Sequence, residues 1–188
     1  RWQRLTRGSV IGKIIRESGV AIDVHVISHP DAHSEDAFVV PRRLDDGSGD
    51  GNHDDVARFA TYNASLNRNN AGQLITDLST PGNAQAKAIA EVIQLLDPDV
   101  LLINEFDYDE GHRALDLFQT NYLSVSQNGA APVEYPYAYT APSNTGVPSG
   151  FDLDNNGSVG GGNDALGFGL FPGQFGMAVY SKYPIATR

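Results

Sequence analysis

The chain has 188 residues, 13 Lys and Arg against 23 Asp and Glu, a formal charge of −10, and no cysteine. One domain with a real core is the default at this length and 40% hydrophobic content, and the acidic balance argues against a nonspecific nucleic-acid binder, whose affinity comes from clustered Lys and Arg. Disulfides and thiolate metal sites are excluded, and there is no run of about 18 apolar residues to span a bilayer.

The opening segment, RWQRLTRGSVIGKIIRESGVAIDVHVIS, sets Val10, Ile11, Ile14 and Ile15 on a helical stripe. Gly19 follows as a stop, and Ile22, Val24 and Val26 alternate as a strand. Residues 1–28 resemble the end of a universal-stress-type domain of potassium-responsive sensor histidine kinases. That resemblance implies an anion held by Gly8, Ser9 and the following amides at a helix N-terminus. Without the upstream half of such a fold, a tail that binds nothing is the expectation, and a chimeric reading frame is an alternative. The chain opens on Arg1 with no signal-peptide pattern, so a processed N-terminus or a fragment is expected. Residues 29–55 are dense in Asp, Gly and His. His25, His29, His33 and His53 share no spacing that fixes ligands on one face, so a solvated linker is expected, with a domain boundary near Asp54.

From residue 56 the pattern becomes α/β. Val56, Arg58, Ala60 and Tyr62 alternate with Ala57, Phe59, Thr61 and Asn63, which predicts a short strand ending at Asn63. A long polar loop follows, with one apolar patch at Leu74, Ile75 and Leu78. Ala84, Ala88, Ile89, Val92, Ile93 and Leu96 then recur at helical spacing, with Ser79, Thr80 and Asn83 as candidate N-caps and Pro98 as the stop. The run Val100–Ile103 predicts a strand covered on both faces that delivers Glu105 at its end. Ligands collect at such strand ends in open α/β sheets, so Glu105 is the leading metal-ligand candidate. Asp107, Asp109 and Glu110 follow closely, and carboxylates this dense could recruit a hard cation, but Glu105 is expected to be the only direct ligand and Asp107 to cap or support a helix over Gly111–Phe118.

Asn63 in TYNAS, Glu105 in NEFD and the strand GMAVYSKYPI stand in the order found in the endonuclease/exonuclease/phosphatase superfamily. Residues 56–188 resemble the N-terminal half of its four-layer α/β/β/α sandwich, the DNase I-like fold, and most nearly the bacterial secreted branch. The resemblance implies that Glu105 holds a catalytic Mg²⁺ or Mn²⁺ and that Asn63 orients the scissile phosphate or its partner residues. It also places the loop after Asn63 beside the cleft, so that Asn67, Arg68 or Gln85 reaches a substrate phosphate. Arg68 has priority there because guanidinium binds phosphate bidentately. The implied substrate is a nucleic acid, a phosphomonoester or a phospholipid head group, handled by a monomer in a secreted or extracytoplasmic setting. The family's Asp-x-Asn pair and closing Asp-His pair belong to the half of the domain after SKYPI. A truncated domain, inactive alone, is therefore expected.

Between these motifs lies a glycine-rich insert. Asp152, Asp154, Asn156 and Gly157 match the opening of a calcium loop, D-x-D-x-N-G, with a carbonyl expected near Ser158. The twelfth position is Asn163, and Asp164 comes one residue late. Ca²⁺ held by Asp152, Asp154, Asn156, Ser158 and Asp164 competes evenly with a plain Asx-rich turn. Tyr137, Tyr139, Phe168, Phe171 and Phe175 either line a cleft or pack the insert onto the sheet. Two function classes remain: a metal-dependent phosphoesterase, and a nonenzymatic calcium-stabilised or nucleotide-binding module.

Overall fold

The structure is a computed structural model that describes residues 57–186 and the backbone of residues 24–27. The expected first helix, the anion cradle at Gly8 and Ser9 and the linker lie outside the described residues. Strand β1 (Val24–Ile27) runs antiparallel to β2 (Phe59–Leu66), pairing Val24 with Tyr62 and Ile27 with Phe59. β2 does not end at Asn63. It continues to Leu66 because Ala64 and Leu66 extend the buried face that Tyr62 opens.

Part of the expected loop is helical. In α1 (Gln73–Leu78), Leu74 and Leu78 are one turn apart and both buried. The main helix, α2 (Ala84–Leu96), starts where the Asn83 side chain accepts a hydrogen bond from the Ala86 amide, and it stops at Asp97, whose φ of 43° is left-handed. Ile89, Val92 and Ile93 face the core as expected, but Ala84 and Ala88 are exposed, and Ala86 and Ala90 take the inner positions. Gln94 is buried as well. Its amide nitrogen donates to the carbonyls of Leu123 and Val125 at 2.9 and 2.8 Å, and its oxygen accepts from the Gln127 amide at 3.0 Å.

Strand β3 (Val100–Phe106) lies parallel to β2, and α1 and α2 form the crossover that a parallel pair requires. A helix α3 (Arg113–Phe118) runs into a π turn at Gln119–Leu123, and β4 (Tyr137–Thr140) and β5 (Met177–Ser181) complete a sheet of order β1-β2-β3-β5-β4. Among the named strands of the described residues, only the β2–β3 pair is parallel.

The core sits on one face of this sheet. Tyr62, Leu101, Ile103, Ala178 and Tyr180 meet Ile89 and Ile93 of α2 and Leu115 and Phe118 of α3. The other face is only partly covered. Val100 and Leu102 are half-buried, and Phe59, Met177 and Tyr139 remain 42%, 50% and 53% exposed. Among the described residues the apolar run at Val100–Ile103 is thus fully covered on one side, not both. Within the insert, Gly146 has φ 68°, and a Cβ there would lie 1.8 Å from the Phe171 carbonyl oxygen, so only glycine permits this crossing of two backbones.

Phe118 is the hub of the aromatic core, with ring centroids 6.1 Å from Phe106, 5.9 Å from Tyr122 and 6.3 Å from Tyr180. Phe118→Ala is expected to lower stability by about 3–5 kcal/mol in urea unfolding. A loss under about 1 kcal/mol would mean that the helical layer is not packed as described.

Candidate active site

Parallel β2 and β3 bring Asn63 and Asn104 into register, and beyond them the pairing shifts so that Leu66 meets Phe106. Ile103 and Phe106 are both buried although they are three residues apart, whereas an unbroken strand buries every second residue. The phase slips at Glu105, whose backbone is left-handed with φ 58°. That slip turns Glu105 away from the core to a half-buried position at the sheet rim, as bulges do where a side chain must be re-aimed. Glutamate has no local means of favouring this conformation, which costs about 1–2 kcal/mol.

Two amides hold the carboxylate. Asn63 Nδ2 donates to Oε1 at 2.8 Å, and Asn67 Nδ2 donates to Oε2 at 3.0 Å. Asn63 is itself oriented, because its Oδ1 accepts from the Ser65 amide at 3.1 Å, and Ser65 is a second left-handed residue, with φ 48°. Gln85 donates to the Ser65 carbonyl at 2.8 Å, so its amide braces the bent tip of β2.

Arg68 is fastened on several sides. Its amide donates to Asp107 Oδ2 at 2.7 Å, its Nε to Asp77 Oδ2 at 2.6 Å and its Nη1 to the Asn67 carbonyl at 2.8 Å. Its carbonyl accepts from Gln174 Nε2 at 2.5 Å. The Arg68 hydrogen bond is the main reason the Asp77 carboxyl lies below the usual carboxylate range.

Asp107 has a different task from the one expected. It does not cap α3; Asp109 does, accepting from the Arg113 and Ala114 amides at 2.9 and 3.0 Å. Asp107 is buried and joins two loops, with Oδ2 on the Arg68 amide and Oδ1 on the Phe175 amide at 3.1 Å. Burial pushes its pKa up to about 6, while those two amides oppose the rise. Phe175 is another left-handed residue, and next to it a Cβ on Gly176 would lie 2.8 Å from the Phe106 carbonyl oxygen. Gln174 is 1% exposed, and the sequence held no cue to it, since polar residues in glycine-rich loops are normally solvated.

In the insert, Asp152, Asp154 and Asp164 each place one carboxylate oxygen within 4.8 Å of the others. Asp164 arrives although it is out of calcium-loop register, while Asn163 donates to Asp154 Oδ2 at 3.1 Å. The Asn156 side-chain oxygen accepts from the Ser158 amide at 2.9 Å, which makes an Asx turn. The amides of Gly160 and Leu153 donate to Asp164 at 2.7 Å each and hold its carboxyl below the usual range. Of the aromatics around the insert, Tyr137 and Tyr139 on β4 and Phe168 are exposed, and Phe168 packs against Phe175 at 5.9 Å.

A family model described as the Endonuclease/Exonuclease/phosphatase family matches residues 60–188. No curated protein and no solved structure matches the chain.

Asp107→Asn would turn an amide NH₂ toward one of two backbone donors. Because a hydrogen bond to a charged group contributes about 1.5–3 kcal/mol, that much destabilisation is expected in urea unfolding. Amide exchange at Arg68 and Phe175 should rise with it, and unchanged protection at both amides would remove Asp107 from this role.

Proposed function

Because the chain belongs to the endonuclease/exonuclease/phosphatase family, we propose that it is a divalent-cation-dependent hydrolase of phosphoesters, with Glu105 as the cation ligand and Asn63 as the residue that orients it. The family is one of phosphoester hydrolases, and the finer reading rests on one observation. The Glu105 carboxylate is turned off the core and gripped at both oxygens by neutral amides. Amides orient a carboxylate without cancelling its charge, and two hydrogen bonds leave roughly half of its about four lone-pair sites open to a ligand. An oxygen donor of this kind suits Mg²⁺ or Mn²⁺, and Mg²⁺ needs only one or two protein carboxylates.

When bound, such a cation draws off charge that builds on the nonbridging and leaving oxygens. The residues of the chain do the positioning. Asn63 and Asn67 fix the carboxylate plane, and the second Nδ2 hydrogen of Asn63 supplies a donor for a phosphate oxygen. The charge of −10 favours a phosphomonoester, a phospholipid head group or a nucleic acid gripped at few phosphates over extended backbone binding. Water activation falls to the Asp-x-Asn and Asp-His pairs of the family's second half, so residues 1–188 alone are proposed to be inactive. Clear turnover of a phosphodiester by this chain with Mg²⁺, lost in Glu105→Ala, would overturn that inactivity. For the cation site, Mn²⁺ titrated by electron paramagnetic resonance should bind the chain, and Glu105→Gln should weaken it at least tenfold. Wild-type affinity in Glu105→Gln would refute the assignment.

A second cation reading has its own support in the carboxylate oxygens of Asp152, Asp154 and Asp164, which converge within 4.8 Å. We propose Ca²⁺ there. Calorimetry should register Ca²⁺ binding that is lost in Asp152→Ala and Asp154→Ala. Ca²⁺ binding in a chain that takes up no Mn²⁺ at Glu105 would favour the nonenzymatic, calcium-stabilised module.

A further inference from the structure

The turn that follows β2 carries Asn67 to the Glu105 carboxylate, yet nothing in Asn67 itself selects that placement. Asparagine side chains reach only a short distance, so its backbone must be set to within a fraction of an ångström for Nδ2 to stand 3.0 Å from Oε2. The residue next to it is anchored at its amide by Asp107, at its carbonyl by Gln174 and at its guanidinium by Asp77. We infer that the Arg68–Asp77 ion pair is a positioning device that sets Asn67 against Glu105, and that Arg68 is not itself a phosphate ligand. The inference rests on Glu105 being the cation ligand.

Three observations carry it. First, the pair is sheltered. Its side chains are 14% and 22% exposed, against 52% and 47% for the surface pair of Arg58 and Asp97. Sheltered pairs with direct hydrogen bonds fix geometry where exposed ones do little. Second, the anchor on the other side is rigid. Gln73 donates to Asp77 Oδ1 at 2.6 Å and holds the carboxylate from one turn away on α1. The end of α1 is tied down in turn, because Asn121 Nδ2 donates to the Leu78 carbonyl at 2.8 Å and the Tyr122 hydroxyl donates to the Thr80 carbonyl at 2.5 Å. Third, the guanidinium is turned inward. Nε is committed to Asp77, and Nη1 is committed to the carbonyl of Asn67, so the same group that pairs with α1 also holds the peptide of the residue being positioned. A planar guanidinium makes both contacts at once, which a lysine ammonium on a flexible stem does not.

The test compares Asn67→Ala, Arg68→Ala, Arg68→Lys, Asp77→Asn and the Arg68→Ala/Asp77→Asn double variant. The readouts are Mn²⁺ affinity by electron paramagnetic resonance, and inorganic phosphate affinity of the Mn²⁺-loaded chain by calorimetry. Groups that orient a metal ligand typically contribute about 10–100-fold in affinity. Asn67→Ala, Arg68→Ala and Asp77→Asn are each expected to weaken Mn²⁺ about tenfold, and the double variant no more than either single, because both act through one contact. Arg68→Lys is expected to recover only part of the loss. Phosphate affinity of the loaded protein should be the same in Arg68→Ala as in Asp77→Asn. Wild-type Mn²⁺ affinity in Asp77→Asn and Asn67→Ala would overturn the inference, as would a phosphate defect confined to Arg68→Ala, which would make Arg68 a phosphate ligand. Asp77→Asn and Asn67→Ala leave the Arg68 backbone anchors in place and decide the matter if Arg68→Ala fails to fold. Glu105→Gln separates the two levels: undiminished Mn²⁺ binding there, or none in the wild type, removes the underlying cation site.

Discussion

The left-handed backbone of Glu105 is the constraint around which this rim is built. Had β3 kept its alternation, residue 105 would have faced the layer of Ile103 and Leu101, where an unpaired carboxylate would cost several kcal/mol, about the effective penalty for burying one ion. The twist in the chain costs less, about 1–2 kcal/mol. Once it is made, Phe106 returns to the core, and the carboxylate stands where β2 can reach it. Ser65 makes the matching bend in β2, so that Asn63 and Asn67, on either side of it, address one oxygen each. Each bend is held by an outside group: Gln85 on the Ser65 carbonyl and Gly176 on the Phe106 amide.

The insert joins this rim through polar groups. Several of its apolar side chains stay in solvent, with Phe151 and Val159 at 70% and 64% exposure. Gln174 and the Phe175 amide reach Arg68 and Asp107 instead. Such contacts are directional, so they fix where the insert sits more closely than apolar packing would. Gln94 does the same in the core, where one amide binds the Leu123 carbonyl at the end of the π turn and the Val125 carbonyl just beyond it. Buried amides of this kind rigidify because each unmet partner would carry a full desolvation cost.

What the sequence revealed follows from element length. The thirteen residues of α2 span several turns, so its periodicity, its Asn83 cap and its stop were legible. The apolar run of β3 was legible for the same reason, and with it the approach of Asn63 to Glu105 across a parallel pair. The six residues of α1 span less than two turns, too few to separate a helix from an apolar patch in a loop. Left-handed Ser65, Glu105 and Phe175 carry no local signature, since none is Gly, Asn or Asp. Asp107 and Asp109 could not be told apart by spacing; which of them caps α3 depends on where the chain turns after β3. Asp164 joined Asp152 and Asp154 out of calcium-loop register because the loop folds on its own amides, without flanking helices to impose that register.

The distribution of charge at the rim is itself a constraint on chemistry. A lysine or arginine donor on Glu105 would neutralise the carboxylate and leave little for a cation to gain. Side-chain amides direct the two oxygens and leave the negative charge in place. The guanidinium of the very next residue, Arg68, is paired with Asp77 instead, so its charge is balanced away from Glu105 while its geometry still serves the turn. Placing neutral donors on the carboxylate and a compensated cation behind them leaves the Glu105 charge uncancelled by the side chains that hold it. Such an arrangement suits the role proposed for Glu105, a carboxylate that keeps its charge for a hard cation held against a phosphate.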